Sequence, residues 1–278
     1  MTTGISWTDE TLNFLAGCSK VSAGCRNCYA IDWTGKISFI PEALQQPYKW
    51  KKPRKIFVNS MSDCFHESVK DEWLDRFFAV AALTPRHTYQ ILTKRPERML
   101  QYLCHPERQA MIREYFGMDD AMCWPLPNVW LGVTVENQKA ADERIPWLLK
   151  TPASVRFLSC EPLLEKTTVI RWLNKGIRKD WVDGGRPVGT HGKQIDWLIV
   201  GGESGHGARL CNVEWIRLLV DEGRKSKVPV WVKQMGSNAF SPRNPMWDNG
   251  ITGKGADPSE WPEDLRVQEF PFTEAIAA

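Results

Sequence analysis

The sequence predicts an α/β fold, a full or partial TIM-like (β/α) barrel. Short β-rich runs alternate with amphipathic helical stretches, and polar side chains recur where each run ends. Near-continuous apolar runs of this length are typical of strands that a parallel sheet buries on both faces. Strand–helix–strand units connect with one handedness, so they build either a barrel or an open doubly wound sheet.

The predicted strands follow one another at regular intervals. A short strand is expected around residues 5–7, and six clear runs lie at 55–63, 88–96, 128–137, 155–163, 196–205 and 229–236. In a (β/α) barrel the carboxyl ends of all strands meet at one mouth, whereas a flat sheet does not bring six strand ends together. Polar residues at six successive strand ends therefore favour a full or partial barrel.

Three helices are predicted between the strands. Residues 68–83 begin with a Ser-x-x-Asp capping pattern, and residues 213–227 follow Asn212 as the N-cap. Residues 138–145 form a shorter helix that Pro146 should break or kink. We expect residues 1–236 to form the barrel and residues 237–278, rich in Pro, Gly and Asn, to form an irregular C-terminal tail packed on it. Residues 174–194 are expected to form a loop insertion or a hairpin.

Charge gives a weak indication of partners. The formal net charge is +3, which is too small to indicate nucleic-acid binding by itself. One basic run, YKWKKPRK at residues 48–55, interleaves aromatic and cationic side chains. Such a run is either a solvated segment before a strand or a phosphate-contacting surface, and the sequence leaves both open.

The cysteine content indicates metal chemistry. No apolar leader or membrane-spanning run is visible, so we expect a cytoplasmic protein without membrane contact, in which thiols stay reduced. Eight cysteines in that setting favour metal ligation over disulfides. Five of them are irregularly spaced and are expected to be small buried side chains: Cys64, Cys104, Cys123, Cys160 and Cys211.

The stretch GCSKVSAGCRNCYA, residues 17–30, holds the other three cysteines. Cys18 and Cys25 are separated by six residues, and Cys25 and Cys28 by two. Three local thiolates suit a 4Fe–4S cluster with one iron open to a further ligand. A structural zinc ion remains an alternative, but it needs a fourth ligand from elsewhere in the chain.

Charged residues at the strand ends are candidates for binding at the mouth, although each could instead be half of a structural ion pair. The catalytic candidates are Lys94, Glu136, Glu161 and Lys233.

The cysteine loop resembles that of radical S-adenosylmethionine (SAM) enzymes, in particular the branch that includes spore photoproduct lyase. The chain as a whole resembles a family of uncharacterised phage and prophage three-cysteine proteins, from about residue 5 to residue 271. The blocks VNSMSDCFHE, HTYQILTKRPERM, VWLGVTVENQKAADERIP, RFLSCEPLL, WLIVGGESGHGAR and WPEDLRV carry this resemblance in order.

The resemblance implies a barrel of the radical SAM type in which Cys18, Cys25 and Cys28 bind a 4Fe–4S cluster and SAM binds the open iron. The resemblance places the element that meets the SAM amino group at the end of the second strand. The sequence Gly-Gly-Glu itself occurs later, at residues 201–203, where it either contacts SAM or substrate or only forms a tight turn. The cofactor-binding candidates are then Ser60, Ser62, Asp63, Gly201, Gly202 and Glu203.

The function implied is an enzyme that generates a 5′-deoxyadenosyl radical from SAM, with an electron donor such as flavodoxin or ferredoxin. A nucleobase, nucleotide or nucleic acid is the expected substrate, in modification or repair. Two alternatives stay open: a zinc-containing, non-catalytic nucleic-acid-binding phage protein, and a metal-dependent barrel hydrolase or nuclease. The sequence does not determine the oligomeric state.

Overall fold

The computed structural model describes residues 3–28, 30, 36–117, 123–173, 182–183, 186–187, 194–243 and 253–271. Its centre is a seven-stranded parallel sheet, curled into a half-barrel and flanked by helices. The strands are β1 (Glu10–Leu12), β2 (Lys55–Val58), β3 (Thr88–Thr93), β4 (Val129–Thr134), β5 (Val155–Cys160), β6 (Trp197–Gly201) and β7 (Val230–Gln234). They lie side by side in chain order, which confirms the prediction of a partial barrel.

Helices connect successive strands of the sheet. They are α1 (Gln46–Lys49), α2 (Asp71–Leu83), α3 (Pro96–Leu103), α4 (Arg108–Phe116), α5 (Gln138–Lys150), α6 (Ile170–Leu173) and α7 (Val213–Ser226). Short 3-10 turns lie at Ala23–Cys25, Pro41–Gln45, Pro258–Glu260 and Glu263–Leu265. Among the described residues, no helix is long and apolar enough to cross a membrane.

Small two-residue strands lie outside the main sheet. Leu15–Ala16 pairs antiparallel with Ser38–Phe39, and Cys211–Asn212 pairs in parallel with Ala239–Phe240. Val182–Asp183 pairs antiparallel with Arg186–Pro187, so the segment predicted as a loop or hairpin contains a hairpin. Apart from Gln194, the rest of that segment lies outside the described residues.

The six long predicted strands are all present, but the first strand is not at residues 5–7. Pairing with β2 begins at Glu10, after Thr8 Oγ1 donates to the Lys55 carbonyl at 2.9 Å and the Lys55 amide donates to Asp9 at 2.7 Å. Trp7 instead packs against Phe57 inside the half-barrel. The strand Glu-Thr-Leu is polar because it lies at the edge of the sheet, and for that reason it carries no apolar signal.

Two helix ends also differ from prediction. The N-cap of α2 is Lys70, whose side chain makes no capping bond, so the expected Ser-x-x-Asp cap is absent. Helix α5 continues through Pro146 to Lys150, because its apolar face, with Ile145 and Leu148, stays buried beyond the proline. The predicted cap of α7 is confirmed: Asn212 accepts a hydrogen bond from the Glu214 amide at 3.0 Å.

The sheet separates two apolar regions. The larger lies between the sheet and the helices. The concave side is filled by a mainly aromatic cluster, which contains Trp7, Phe57, Trp130, Val155, Phe157, Trp197, Ile199 and Trp231. Near the end of the described chain, the Val232 amide bonds to the Val267 carbonyl at 2.8 Å, and Gln268 bridges to Trp231. This C-terminal segment therefore covers the outer edge of β7.

Close packing on the concave side requires glycine at position 132. A Cβ atom there would lie 2.5 Å from ring carbons of Phe157. We expect Gly132→Ala to lower the free energy of unfolding by about 1–3 kcal/mol, as overpacked cores do. Urea unfolding measures the change.

Gly4→Ala is the matched control, since no atom lies within 4 Å of the Cβ position at Gly4. Equal stability of the two variants would contradict this account of the concave core.

Candidate functional site

The cysteine loop begins beside the carboxyl end of β2. Ser62 Oγ donates to the Gly17 carbonyl at 2.5 Å, and the two residues form a parallel bridge that prolongs the β1–β2 pairing. Gly17 has φ +89°, and a Cβ atom there would lie 2.4 Å from the Lys36 carbonyl oxygen. Only glycine fits this turn, so Cys18 leaves the sheet at a defined point.

Arg95, two residues beyond the end of β3, joins the loop to the sheet. Its guanidinium donates to Asp63 Oδ2 at 3.1 Å, to Ser19 Oγ at 2.8 Å and to the Ser19 carbonyl at 3.3 Å. Its Nη1 also lies 3.9 Å from Cys18 Sγ. One buried cation thus holds the first cysteine and its neighbour against two strand ends.

Asp63 is the acceptor at the centre of this arrangement. Its carboxylate is buried and also accepts from Thr93 Oγ1 at 2.7 Å and from the Lys94 amide at 3.1 Å. Ser60 donates to Asn13 at 3.1 Å. Ser60, Ser62 and Asp63 therefore have structural partners here, and their predicted contact with SAM stays a prediction.

His66 supports the same part of the loop. Its Nε2 lies 2.8 Å from Ser19 Oγ, and its Nδ1 accepts from the Ser68 amide at 3.1 Å. Burial and the neighbouring Arg95 charge lower the pKa of His66, which keeps the ring neutral at pH 7.

The middle of the loop rests on Glu136, just beyond β4. A Cβ atom at Gly24 would lie 3.1 Å from the Glu136 carboxyl carbon, so the backbone lies directly on that side chain. Glu136 is fully buried and accepts from Arg144 of α5 at 2.7 and 3.2 Å. Burial alone would raise the pKa of Glu136, but Arg144 and a hydrogen bond from Ser22 hold it below the usual range.

The far end of the loop is attached to the turn after β6. Asn27 Nδ2 donates to Glu203 Oε2 at 3.0 Å and to the Gly207 carbonyl at 3.0 Å. Arg209 donates to Glu203 Oε2 at 2.9 Å and to the Ala23 carbonyl at 2.8 Å. Although burial acts to raise the pKa of Glu203, the hydrogen bonds from Arg209 and Asn27 lower it. The loop therefore spans the mouth from β2 to β6.

The two glycines before Glu203 are required by packing. A Cβ atom at Gly202 would lie 2.1 Å from the Met235 carbonyl oxygen, and one at Gly201 would lie 2.7 Å from Glu161 Oε1. These contacts favour the tight-turn interpretation of the GGE element. Glu161 pairs with Lys233, whose Nζ lies 3.2 Å from Oε1 and donates to Oε2 at 3.4 Å.

The thiols of the loop have different environments. Burial and the Asp63 charge raise the pKa of the Cys18 thiol, against the opposing effect of Arg95. Burial acts to raise the pKa of Cys25 as well, but backbone hydrogen bonds at Val21 and Ser22 and the Lys94 charge lower it overall. Cys25 is buried, whereas Cys18 and Cys28 are half-buried.

In the part of the chain that the structure describes, no group of three His, Cys, Asp or Glu side chains is arranged to hold a metal ion. The predicted ligands share one loop at the mouth, but the structure does not group their side chains around a metal-sized site.

None of the eight cysteines forms a disulfide. Cys64, Cys160 and Cys211 are buried as predicted, and burial raises the pKa of all three thiols. Cys104 and Cys123 are exposed, which corrects the prediction that they are buried; Cys104 ends α3, outside its buried face.

The mouth brings together the predicted residues of six strand ends, and three predicted glutamates are each half of an ion pair. The sequence predicted no site role for Arg95, Asn27, His66, Arg144 or Arg209. The only signal for Arg95 was its position directly after the strand-end Thr-Lys.

A family model described as "Protein of unknown function (DUF5131)" matches residues 2–261. The chain belongs to the DUF5131 family. No curated protein and no solved structure matches it significantly.

The Arg95–Asp63 pair generates a stability prediction for this DUF5131 protein. Arg95→Gln leaves the buried Asp63 carboxylate without its ion-pair partner. We expect a loss of about 3–5 kcal/mol in the free energy of unfolding and faster hydrogen exchange at residues 17–28.

Lys139→Gln is the control, because the Lys139–Glu143 pair is exposed and should contribute less than about 1 kcal/mol. Unchanged exchange in the loop of Arg95→Gln would show that Arg95 does not hold it.

Glu136 generates a prediction of pH dependence. Because the folded state lowers its pKa, its stabilising contribution is complete above the unfolded value of about 4.3 and is lost as the pH falls through the folded value. Glu136→Gln should therefore lose less stability than the wild type on acidification from about pH 5. Urea unfolding across that range measures the difference, with the exposed Glu143→Gln as control. If the free energy of unfolding fell in parallel with pH for the wild type and Glu136→Gln, the prediction would be contradicted.

Proposed function

We propose that this protein is a radical-SAM-like iron–sulfur enzyme whose site is the mouth of the half-barrel. The observation that carries the proposal is the course of the cysteine loop, which is bonded to residues following β2, β3 and β6 and rests on Glu136 after β4. In (β/α) barrels this is the end at which active sites form.

Three thiolates on one loop are the donor set that a 4Fe–4S cluster takes. Cys18, Cys25 and Cys28 would hold it, and Cys-rich loops with thiolate-stabilising neighbours are typical of such sites. Arg95 lies near Cys18, and the Lys94 charge acts on Cys25. When bound, the cluster supplies the electron that cleaves SAM to methionine and a 5′-deoxyadenosyl radical, which then abstracts hydrogen from a substrate.

Residues of the chain would bind and orient SAM and substrate around that loop. The Lys94 charge acts on both Cys25 and Glu136, so this cation lies near the loop and would meet a carboxylate of SAM or substrate. Glu161 and Lys233 form an ion pair at the same mouth and would present a carboxylate and a cation to SAM or substrate. Buried Glu136 and Glu203 would act by positioning the loop.

A nucleobase, nucleotide or nucleic acid remains the proposed substrate class, and a flavodoxin or ferredoxin the proposed electron donor. The hydrolase alternative has less support, because Glu136, Glu161 and Glu203 are each paired with a cation at the mouth. A carboxylate engaged in this way is not free to bind a catalytic divalent ion.

Anaerobic purification and reconstitution test the cysteine ligands. We expect a brown protein with about four irons and four sulfides per chain. Cys25→Ser should lose most of the iron. Cys123→Ser, which removes an exposed thiol outside the loop, should retain it. A colourless protein with about one zinc per chain would contradict the cluster.

The reaction is tested separately with reconstituted protein, dithionite and SAM. Formation of 5′-deoxyadenosine that depends on Cys25 is the expected result, measured by chromatography. A sample that contains iron and sulfide but yields no 5′-deoxyadenosine would show that the cluster is not a SAM-cleaving one.

A further inference from the structure

A basic surface lies at the opposite end of the strands from the cysteine loop. The segment before β2 enters the sheet at its amino end, whereas the loop follows the carboxyl ends of the strands. We define this surface, the basic patch, by Lys49, Lys51, Lys52, Arg54 and Arg86 together with Tyr48.

The basic patch concentrates positive charge. It holds five cations, while the whole chain has a formal net charge of only +3. No Asp or Glu occurs between Glu42 and Asp63 in the sequence. Within the described residues, Lys49, Lys51 and Lys52 are exposed and take part in no ion pair. Their charges are therefore available to a polyanion.

The backbone of the basic patch is held in one conformation. Arg86 Nε donates to the Trp50 carbonyl at 3.0 Å, and its Nη2 donates to the Pro47 carbonyl at 3.0 Å. His87 Nε2 lies 3.0 Å from the same Pro47 carbonyl. Because the segment is already ordered, binding would cost less conformational entropy than binding by a flexible basic tail.

One further feature indicates what the basic patch binds. Tyr48 is 42% exposed beside the lysines, which offers an aromatic face for stacking. Cations with an exposed aromatic ring are the combination that binds single-stranded nucleic acid, through phosphates and a stacked base.

We infer that the basic patch binds single-stranded nucleic acid. Strand β2 has four residues, so the patch lies roughly 13 Å or more from the mouth at about 3.3 Å per residue. A few nucleotides cover this distance. The patch would hold a bound strand at a place separate from the cysteine loop.

Fluorescence anisotropy with a labelled 20-nucleotide oligothymidylate tests the inference. We expect binding that weakens as salt rises, and the triple variant Lys49→Ala/Lys51→Ala/Lys52→Ala to bind at least tenfold more weakly at low salt. The triple variant should also reduce the steepness of the plot of log K against log salt concentration by about two, because it removes three phosphate contacts and each contact to a single strand contributes about 0.7.

The matched control removes three exposed lysines elsewhere: Lys139→Ala/Lys166→Ala/Lys225→Ala. It should bind as the wild type does. If both triple variants weakened oligothymidylate binding equally, the assignment of binding to the basic patch would be overturned, because the effect would then come from net charge alone.

Tyr48→Leu tests the choice of nucleic acid. It should weaken oligothymidylate binding about tenfold and leave binding of an abasic oligonucleotide unchanged. Binding to phosphatidylserine vesicles without binding to the oligonucleotide would overturn the inference in favour of a membrane surface.

Cys25→Ser separates this inference from the proposed function. The variant should bind the oligonucleotide normally even though it lacks the thiol. Loss of oligonucleotide binding in Cys25→Ser, with the fold intact by circular dichroism, would mean that the strand binds at the cysteine loop and not at the basic patch.

Discussion

The buried ion pair between Arg95 and Asp63 is the interaction on which the mouth of the half-barrel depends. It joins the residues that follow β2 and β3, and the same guanidinium reaches Ser19 and Cys18. A buried pair of this kind is held by additional hydrogen bonds, and Asp63 has them from Thr93 and Lys94. Together with the Gly17–Ser62 bridge, it fixes the first cysteine relative to the sheet.

A second set of bonds fixes the other end of the loop and depends on close packing of β6 and β7. Gly202 allows the backbone after β6 to lie against the Met235 carbonyl, and that approach determines where Glu203 lies. Arg209 and Asn27 then bind Glu203. The loop that carries the three cysteines is therefore held at both ends.

The sequence predicted the strands better than the helix ends. Runs such as β4 and β5 are buried along their whole length, so their apolar character is unmistakable. Edge strand β1 contains Glu10 and Thr11 and has no such signal. Pro146 was expected to break or kink α5, but the helix continues through it, because burial of the following turn outweighs the local preference.

The sequence predicted where the site residues lie, but it did not predict which residues they bond to. Polar residues at strand ends converge because parallel strands share one direction, and this placed Lys94, Glu136, Glu161, Glu203 and Lys233 correctly at the mouth. Their partners could not be found in the same way. Asn27 and Glu203, for example, are 176 residues apart, and no local pattern relates them.

The central claim is that the cysteine loop holds an iron–sulfur cluster that is open to SAM. Electron paramagnetic resonance of the reduced, reconstituted protein, recorded with and without SAM, tests it most directly. The account predicts an iron–sulfur signal whose g-values shift when SAM is added and which is absent from Cys25→Ser. A signal that SAM leaves unchanged, or one that persists in Cys25→Ser, would contradict it.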